Sequence, residues 1–361
     1  QLTLTHFRLF ETKQISFEPG FNIVQGHNGT GKSSILEAMF YLSRGRSFRT
    51  SQSHRMIQDG EDHFVIHMHM HHPLMTPFVL ALQRDRQGKI KAKAGGEDQN
   101  SLVALSTHLP TLFLDTDSHR LLASGPKHRR QWLDWGLFYG QNRVFYPRWS
   151  QYKRALAQRN AALKVGHVDN YWDDLLVTHG EALDTMRQEY VLRLEKVMAE
   201  IWQACHGPIQ CGAVQLCYES GWSQKTTLRD ALVTHRMRDQ VTGHTQVGPH
   251  RADLKINIDG KPAHQYLSQG QQKMLTYALA LASGLCFYQD TTQHCIYLFD
   301  DFCAELDQTR RAYIADIIAQ QKSQVILTGI LAHDLDDVMT GRMFHRIHLA
   351  QTERLVKHEQ Q

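Results

Sequence analysis

One glycine-rich octapeptide constrains this chain more than anything else in it. Gly26-His27-Asn28-Gly29-Thr30-Gly31-Lys32-Ser33 fits G-x-x-x-x-G-K-[ST]. It follows an apolar run, Phe21 to Gln25, and precedes a helix-favouring run, Ile35 to Leu42. A strand, a loop with backbone N–H groups turned inward and a helix N-terminus together make a cradle for phosphate. The pattern therefore predicts an α/β fold with a nucleotide phosphate site along Gly26–Ser34. In that site Lys32 bridges the β- and γ-phosphates, the Ser33 hydroxyl helps to hold Mg²⁺, and Ser34 closes the loop.

Such a site needs an acidic residue at the end of a second buried strand. Cys295 to Phe299 is apolar and runs straight into Asp300-Asp301. Two carboxylates ending an apolar run are costly to desolvate unless a cation meets them. Asp300 is assigned to Mg²⁺ and Asp301 to polarising an attacking water. Gln324 to Thr328 is expected to be a further apolar strand.

Between these motifs the chain changes character. Leu2 to Phe10 has strand character, and Phe64 to His71 alternates Phe64, Ile66, Met68 and Met70 with Val65, His67, His69 and His71. His67, His69, His71 and His72 have neither carboxylate nor cysteine alongside, so they are read as a solvated strand face rather than a metal site. From about Asp117 to Cys205 the pattern turns helical. Leu176, His179, Leu183, Met186, Tyr190, Leu194, Val197 and Ile201 step by three and four, the spacing of one helix face. A helix of about 35 residues would be about 50 Å long. Strands are expected again at Gln210 to Tyr218 and Leu254 to Ile258, the latter closed by Asp259-Gly260.

Of the 361 residues, 42% are hydrophobic and 21% charged, with a net charge of +4. That is enough apolar material for two domains, and so small a net charge means that a polyanion must be met by a local patch. The basic residues Lys127, Arg129, Arg130, Arg143, Arg148, Lys153, Arg154, Arg159 and Lys164 stand against one acid, Asp134, with Trp132, Trp135, Tyr146, Trp149 and Tyr152 interleaved. Such a stretch suits a nucleic-acid backbone. Arg46 and Arg49, just after the glycine loop, could reach nucleotide or DNA. Six cysteines without paired C-x-x-C spacing read as reduced, buried thiols. The longest apolar stretch, Met274 to Tyr288, falls short of the roughly 18 residues of a membrane span. Lacking a basic segment followed by an apolar one at its start, the chain is expected in the cytoplasm.

Leu267-Ser268-Gln269-Gly270-Gln271-Gln272-Lys273, placed before an apolar helix and the Asp300 strand, resembles the signature sequence of ABC-type ATPases. Gly125 to Asp134, Gln158-Arg159-Asn160 and Val247 to Asp253, in that order, narrow the resemblance to the RecF family of bacterial recombinational repair, related to structural-maintenance-of-chromosomes heads. The resemblance implies an ABC-type head built from both chain ends, 1–116 and 206–361, with a helical arm inserted at 117–205. It implies that Ser268, Gly270 and Gln271 act in trans on ATP held by a partner copy. Ala304-Glu305-Leu306-Asp307 would link the two nucleotide sites. It further implies a weak ATPase that dimerises on ATP around duplex DNA or a single-strand junction, assisting RecO and RecR in loading RecA at gaps. Arg129, Arg130 and Arg154 are the expected DNA contacts. Asp301 stands where many ABC ATPases carry Glu, and no switch histidine follows Thr328 before His333. A transporter's nucleotide-binding subunit is disfavoured by the large basic insertion, and a chromosome-compaction ATPase by the short arm.

Overall fold

The computed structural model describes residues 1–72, 75–166, 170–206, 212–302, 306–329, 339 and 341–350. Gln1–Asp117 with His294–Gln361 form one compact unit and Ser118–Gln293 a second. The first unit begins with β1 (Leu2–Phe7), β2 (Phe10–Ile15), β3 (Phe21–Gln25), α1 (Lys32–Arg44), β4 (His63–His72), β5 (Met75–Asp85), β6 (Ile90–Ala94), β7 (Glu97–Asp98), α2 (Leu102–Ser106) and β8 (Thr111–Leu114). The second holds α3 (Arg120–Ala123), α4 (Pro126–Gly140), α5 (Asn142–Lys164), α6 (Asn170–His206), β9 (Val214–Glu219), α7 (Leu228–Thr242), β10 (Asp253–Ile258), β11 (Lys261–Pro262), α8 (Ala263–Tyr266) and α9 (Gln269–Thr291). The chain then returns to the first unit with β12 (Ile296–Phe299), α10 (Gln308–Gln321), β13 (Val325–Gly329) and β14 (Phe344–His348).

Two sheets make the first unit. One is antiparallel, in the order β2-β1-β4-β5-β6-β7, and the other parallel, in the order β14-β3-β13-β12-β8. The single expected strand Leu2 to Phe10 is a hairpin instead. Its chain reverses at Arg8, whose φ of 56° is left-handed, so that Phe7 faces Phe10 across the turn. β4 alternates as its sequence requires: Phe64, Ile66 and Met68 are buried while His69 and His71 are exposed. β3 is buried at every position, the mark of a strand inside a parallel sheet. α1 lies between the sheets, and one apolar core joins its Ile35, Leu36 and Met39 to Leu4, Phe64 and Leu82 on one side and Val24, Leu298 and Ile326 on the other.

The second unit extends further along the chain than the inserted arm expected at 117–205. The head was expected to resume at residue 206, but β9, α7, β10 and α9 pack with α4, α5 and α6, so the division falls at residue 293. α6 follows its seam, with Leu176, Leu183, Tyr190, Leu194, Val197 and Ile201 buried and His179 and Met186 half-buried. Helices and strand cover it on several sides, so this 37-residue helix is the spine of a packed unit and not a free arm. A Cβ at Gly136 would lie 2.1 Å from the Tyr190 hydroxyl, which explains the glycine where α4 approaches α6.

Burial raises the thiols of Cys205, Cys286 and Cys295 to about 12, as inert structural cysteines. Cys217, expected to be buried, is exposed on β9. Cys211 and Cys303 lie outside the described residues.

Candidate functional site

The glycine loop leaves β3 at Gln25 and enters α1 at Lys32. Gly31 caps the helix at φ 95°, and a Cβ there would sit 2.4 Å from the Phe10 ring, so the turn admits only glycine. His27, Asn28 and Gly29 are exposed at the loop's tip, while Thr30 and Ser34 are buried beneath it. The Thr30 hydroxyl ties the loop by donating to the His27 carbonyl at 2.9 Å. The Lys32 ammonium donates to the Gly26 and His27 carbonyls at 2.6 and 3.1 Å. Burial lowers its pKa, an effect that the nearby Asp301 and Asp300 charges oppose.

Parallel pairing brings the acid to this loop. β12 and β13 lie beside β3 in the same sheet, so their C-terminal ends emerge at one edge. The Ser33 hydroxyl donates to Asp300 Oδ1 at 3.1 Å, joining residues 267 positions apart. The Thr328 hydroxyl donates to the same oxygen at 2.7 Å and accepts from the Asp301 backbone N–H at 2.8 Å. Burial raises the Asp300 pKa, against the two hydroxyl hydrogen bonds that favour the carboxylate. Asp301 has a φ of 52°, in the left-handed region that few residues besides glycine, asparagine and aspartate adopt readily. The Asp300 N–H donates to the Leu114 carbonyl, so the segment after β8 leaves beside the acid.

Two residues here, Thr328 and Glu37, escaped the sequence reading. Thr328 showed only as the last residue of an apolar strand, yet its hydroxyl orients both acidic positions. Glu37, fully buried on α1, takes a two-pronged contact from Arg8 at 2.9 and 2.6 Å and a hydrogen bond from Ser47. Arg49 approaches it at 3.8 Å. The hairpin turn is thus clamped to the helix that carries Lys32. A charged residue inside the otherwise apolar run Ile35 to Leu42 was the available signal.

The remaining expected residues lie elsewhere. Ser268 caps α9 in a reciprocal capping box, accepting from the Gln271 N–H at 3.4 Å while the Gln271 side chain accepts from the Ser268 N–H at 2.9 Å. Ser268 is exposed, with Gly270 half-buried two residues on. Asp307 caps α10 by accepting from the Arg310 N–H at 2.9 Å. Ala304, Glu305 and His333 lie outside the described residues.

Two of the three expected DNA contacts are engaged within the fold. Arg129 pairs with Asp253 at 2.7 and 2.9 Å and donates to the Ser124 carbonyl. Arg130 is half-buried and donates to the Ala252 carbonyl at 2.6 Å. Arg129 is thus matched by a carboxylate in holding α4 against β10, whereas Arg130 meets a neutral carbonyl there. Arg159 is likewise buried, between Asp173 at 2.6 Å and Asp239 at 2.7 Å. Arg154 is exposed. Among the described residues no group of three His, Cys, Asp or Glu could hold a metal ion, and no helix is long and apolar enough to cross a membrane.

The RecF/RecN/SMC N terminal domain model matches residues 1–353. A DNA replication and repair protein RecF of Aliivibrio fischeri (strain MJ11) is 36% identical over 341 residues, 94% of each chain. The protein of the same description from Proteus mirabilis (strain HI4320) is 34% identical over 353 residues, 95% of this chain and 96% of that one. A solved structure of the recombination mediator protein RecF-ATP in the RecFOR pathway superposes with a TM-score of 0.83 at 25% identity, over 93% of this chain and 92% of that chain. An SMC head bound to the C-winged helix domain of ScpA superposes with a TM-score of 0.58 at 16% identity, over 97% and 93%, a likeness of fold alone.

Proposed function

From the premise that this chain belongs to the RecF/RecN/SMC N-terminal domain family, and within it to the RecF proteins, we propose an ATP-switched DNA-binding protein of recombinational repair. The observation that carries this reading is the meeting of Ser33 and Asp300 at one sheet edge, beside Lys32. ATP phosphates lie along Gly26–Ser34, and the Lys32 ammonium neutralises the β- and γ-phosphates. The Ser33 hydroxyl and Asp300 carboxylate are hard oxygen donors of the kind Mg²⁺ takes, and they would hold it; bound there, it draws charge from the leaving phosphate. Thr328 fixes the Asp300 oxygen and the Asp301 backbone together, so the Asp301 carboxylate is directed at the attacking water.

Hydrolysis serves as a switch. Ser268, Gly270 and Gln271 of one copy meet the γ-phosphate held by the other, so ATP closes a homodimer on duplex DNA or a single-strand junction and hydrolysis opens it. The closed form assists RecO and RecR in loading RecA at gaps, and the ATPase is accordingly weak.

Light scattering with and without ATP tests the switch. The parent chain should become a dimer with ATP, while Ser268→Arg should bind ATP comparably, stay monomeric and lose only about 1 kcal/mol of stability from its altered cap. Mixing it with Lys32→Met should restore some pairing, because one composite site keeps an intact loop and an intact signature. A normal ATP dimer from Ser268→Arg alone would rule out the trans contact.

A further inference from the structure

Helix α5 contains no acidic residue in 23 positions. Its buried basic group, Arg159, is matched by Asp173 and Asp239. The others divide by face. At 100° per residue, Arg143, Pro147, Ser150, Arg154, Ala157 and Ala161 fall on one line along the helix, all of them exposed. Lys153 flanks that line, its ammonium 4.5 Å from the centre of the Trp149 ring, and the Trp149 indole is itself fixed by a hydrogen bond to Asp134 at 3.3 Å. Among the described residues, Arg143, Lys153 and Arg154 have no carboxylate within ion-pair distance.

We propose that this face of α5 is a track for the phosphodiester backbone of DNA, a placement that rests on the DNA-binding function proposed above. Two features favour a polyanion over a solvated charged face. Solvated helix faces mix signs and satisfy them locally at i, i+4, whereas every charge here has one sign. The exposed positions between and just beyond these cations include short side chains, Ser150, Ala157 and Ala161, so a backbone can approach the helix closely while long basic side chains reach over it. The Lys153 position is set in advance by the aromatic ring beneath it, which reduces the ordering cost of a contact. Arg143 and Arg154 are eleven residues apart, about 16 Å along the axis at 1.5 Å per residue, so they address separate phosphates and not one.

The full-length chain with ATP is the material for the test, and the readout is the slope of log affinity against log salt on duplex and on single-stranded oligonucleotides. Replacing Arg143, Lys153 and Arg154 together by Gln should reduce that slope by about 2.7 on duplex and about 2.1 on single strands, the release expected for three phosphate contacts. ATP affinity and ATP-dependent dimerisation should not change. Ala157→Glu, which adds a carboxylate to the track and removes nothing, should weaken binding, and Ala157→Gln should not. The same neutralisation of Lys89, Lys91 and Lys93, exposed around β6, should leave the slope as it was. An unchanged slope in the α5 triple variant, or an equal fall in the β6 variant, overturns the track. A parent chain that retains no DNA with ATP sinks the proposed function and the track with it, and is told apart because the parent fails before any variant is compared.

Discussion

Buried charge is handled in opposite ways in Ser118–Gln293 and at the loop edge of the other unit. In Ser118–Gln293 each buried arginine meets carboxylates: Arg159 with Asp173 and Asp239, Arg187 with Asp134, Arg129 with Asp253. At the loop edge of the other unit, Lys32 donates to two neutral carbonyls and Asp300 accepts from two neutral hydroxyls. Charges that neutralise each other hold helices in place and have nothing left to bind with. Charges supported only by neutral dipoles remain able to attract a phosphate or a cation. Burial alone therefore does not identify a working charge; the charge of its partners does.

Breaking a closed cluster should have the largest effect. Arg159→Ala leaves Asp239 buried without its cation and Asp173 with Arg236 alone, and should cost about 3–5 kcal/mol in denaturant unfolding. A loss below about 1 kcal/mol would mean that water reaches these carboxylates and that the contrast between the units is overstated. Asp301→Asn should slow ATP turnover about 10²- to 10³-fold while nucleotide binding persists, as expected when a positioned base is removed. Asparagine tolerates the left-handed backbone at that position, so the fold should survive. Normal turnover would transfer the role to another group.

Lys32→Met should weaken ATP binding about 10- to 100-fold, the size of a charge-assisted contact, and scarcely alter the unfolding midpoint. Equilibrium titration with a fluorescent ATP analogue measures the first part and urea unfolding the second. A large stability loss would place Lys32 among the structural charges.

The smallest effect should come from Asp300→Asn, and its sign is the informative part. The folded carboxyl titrates above its ordinary range, so its ionised form costs stability that increases as pH rises from that range through the raised value. The amide should raise the melting temperature at neutral pH by about 2–4 °C, as ~1 kcal/mol would in a domain of this size. The difference should vanish once acid protonates the parent carboxyl. A variant that melts lower at neutral pH would show Asp300 to be a stabilising charge, contrary to the comparison.

Local pattern made part of this molecule legible in its sequence. The glycine loop between strand and helix, the acid pair ending an apolar run and the three-four seam of α6 are each written in contiguous residues, and each stands where it was read. What escaped depends on distance along the chain. Arg129 looks like a free cation until Asp253, 124 residues on, closes on it. Thr328 looks like any strand end until β12 is laid beside β13, and the boundary at residue 206 looked natural because nothing local says that β9 and α9 pack on α6. Only Arg154, of the three expected DNA contacts, kept an exposed position, because its helix face has no neighbour of opposite charge.

The parallel sheet also sets a schedule. β3 is made early on the ribosome, but its inner neighbour β13 follows roughly 300 residues later. At about 5–20 residues per second that is an interval of about 15–60 s, during which a strand buried at every position in the fold waits without its pairing edge. The intervening unit can fold in that time, so translation gives the chain its scaffold first and its nucleotide loop last. A nascent or truncated chain ending before β13 would therefore be a substrate for chaperones and proteases rather than a weaker version of the protein, since loop and acid share a sheet edge only when β13, encoded after both, lies between their strands.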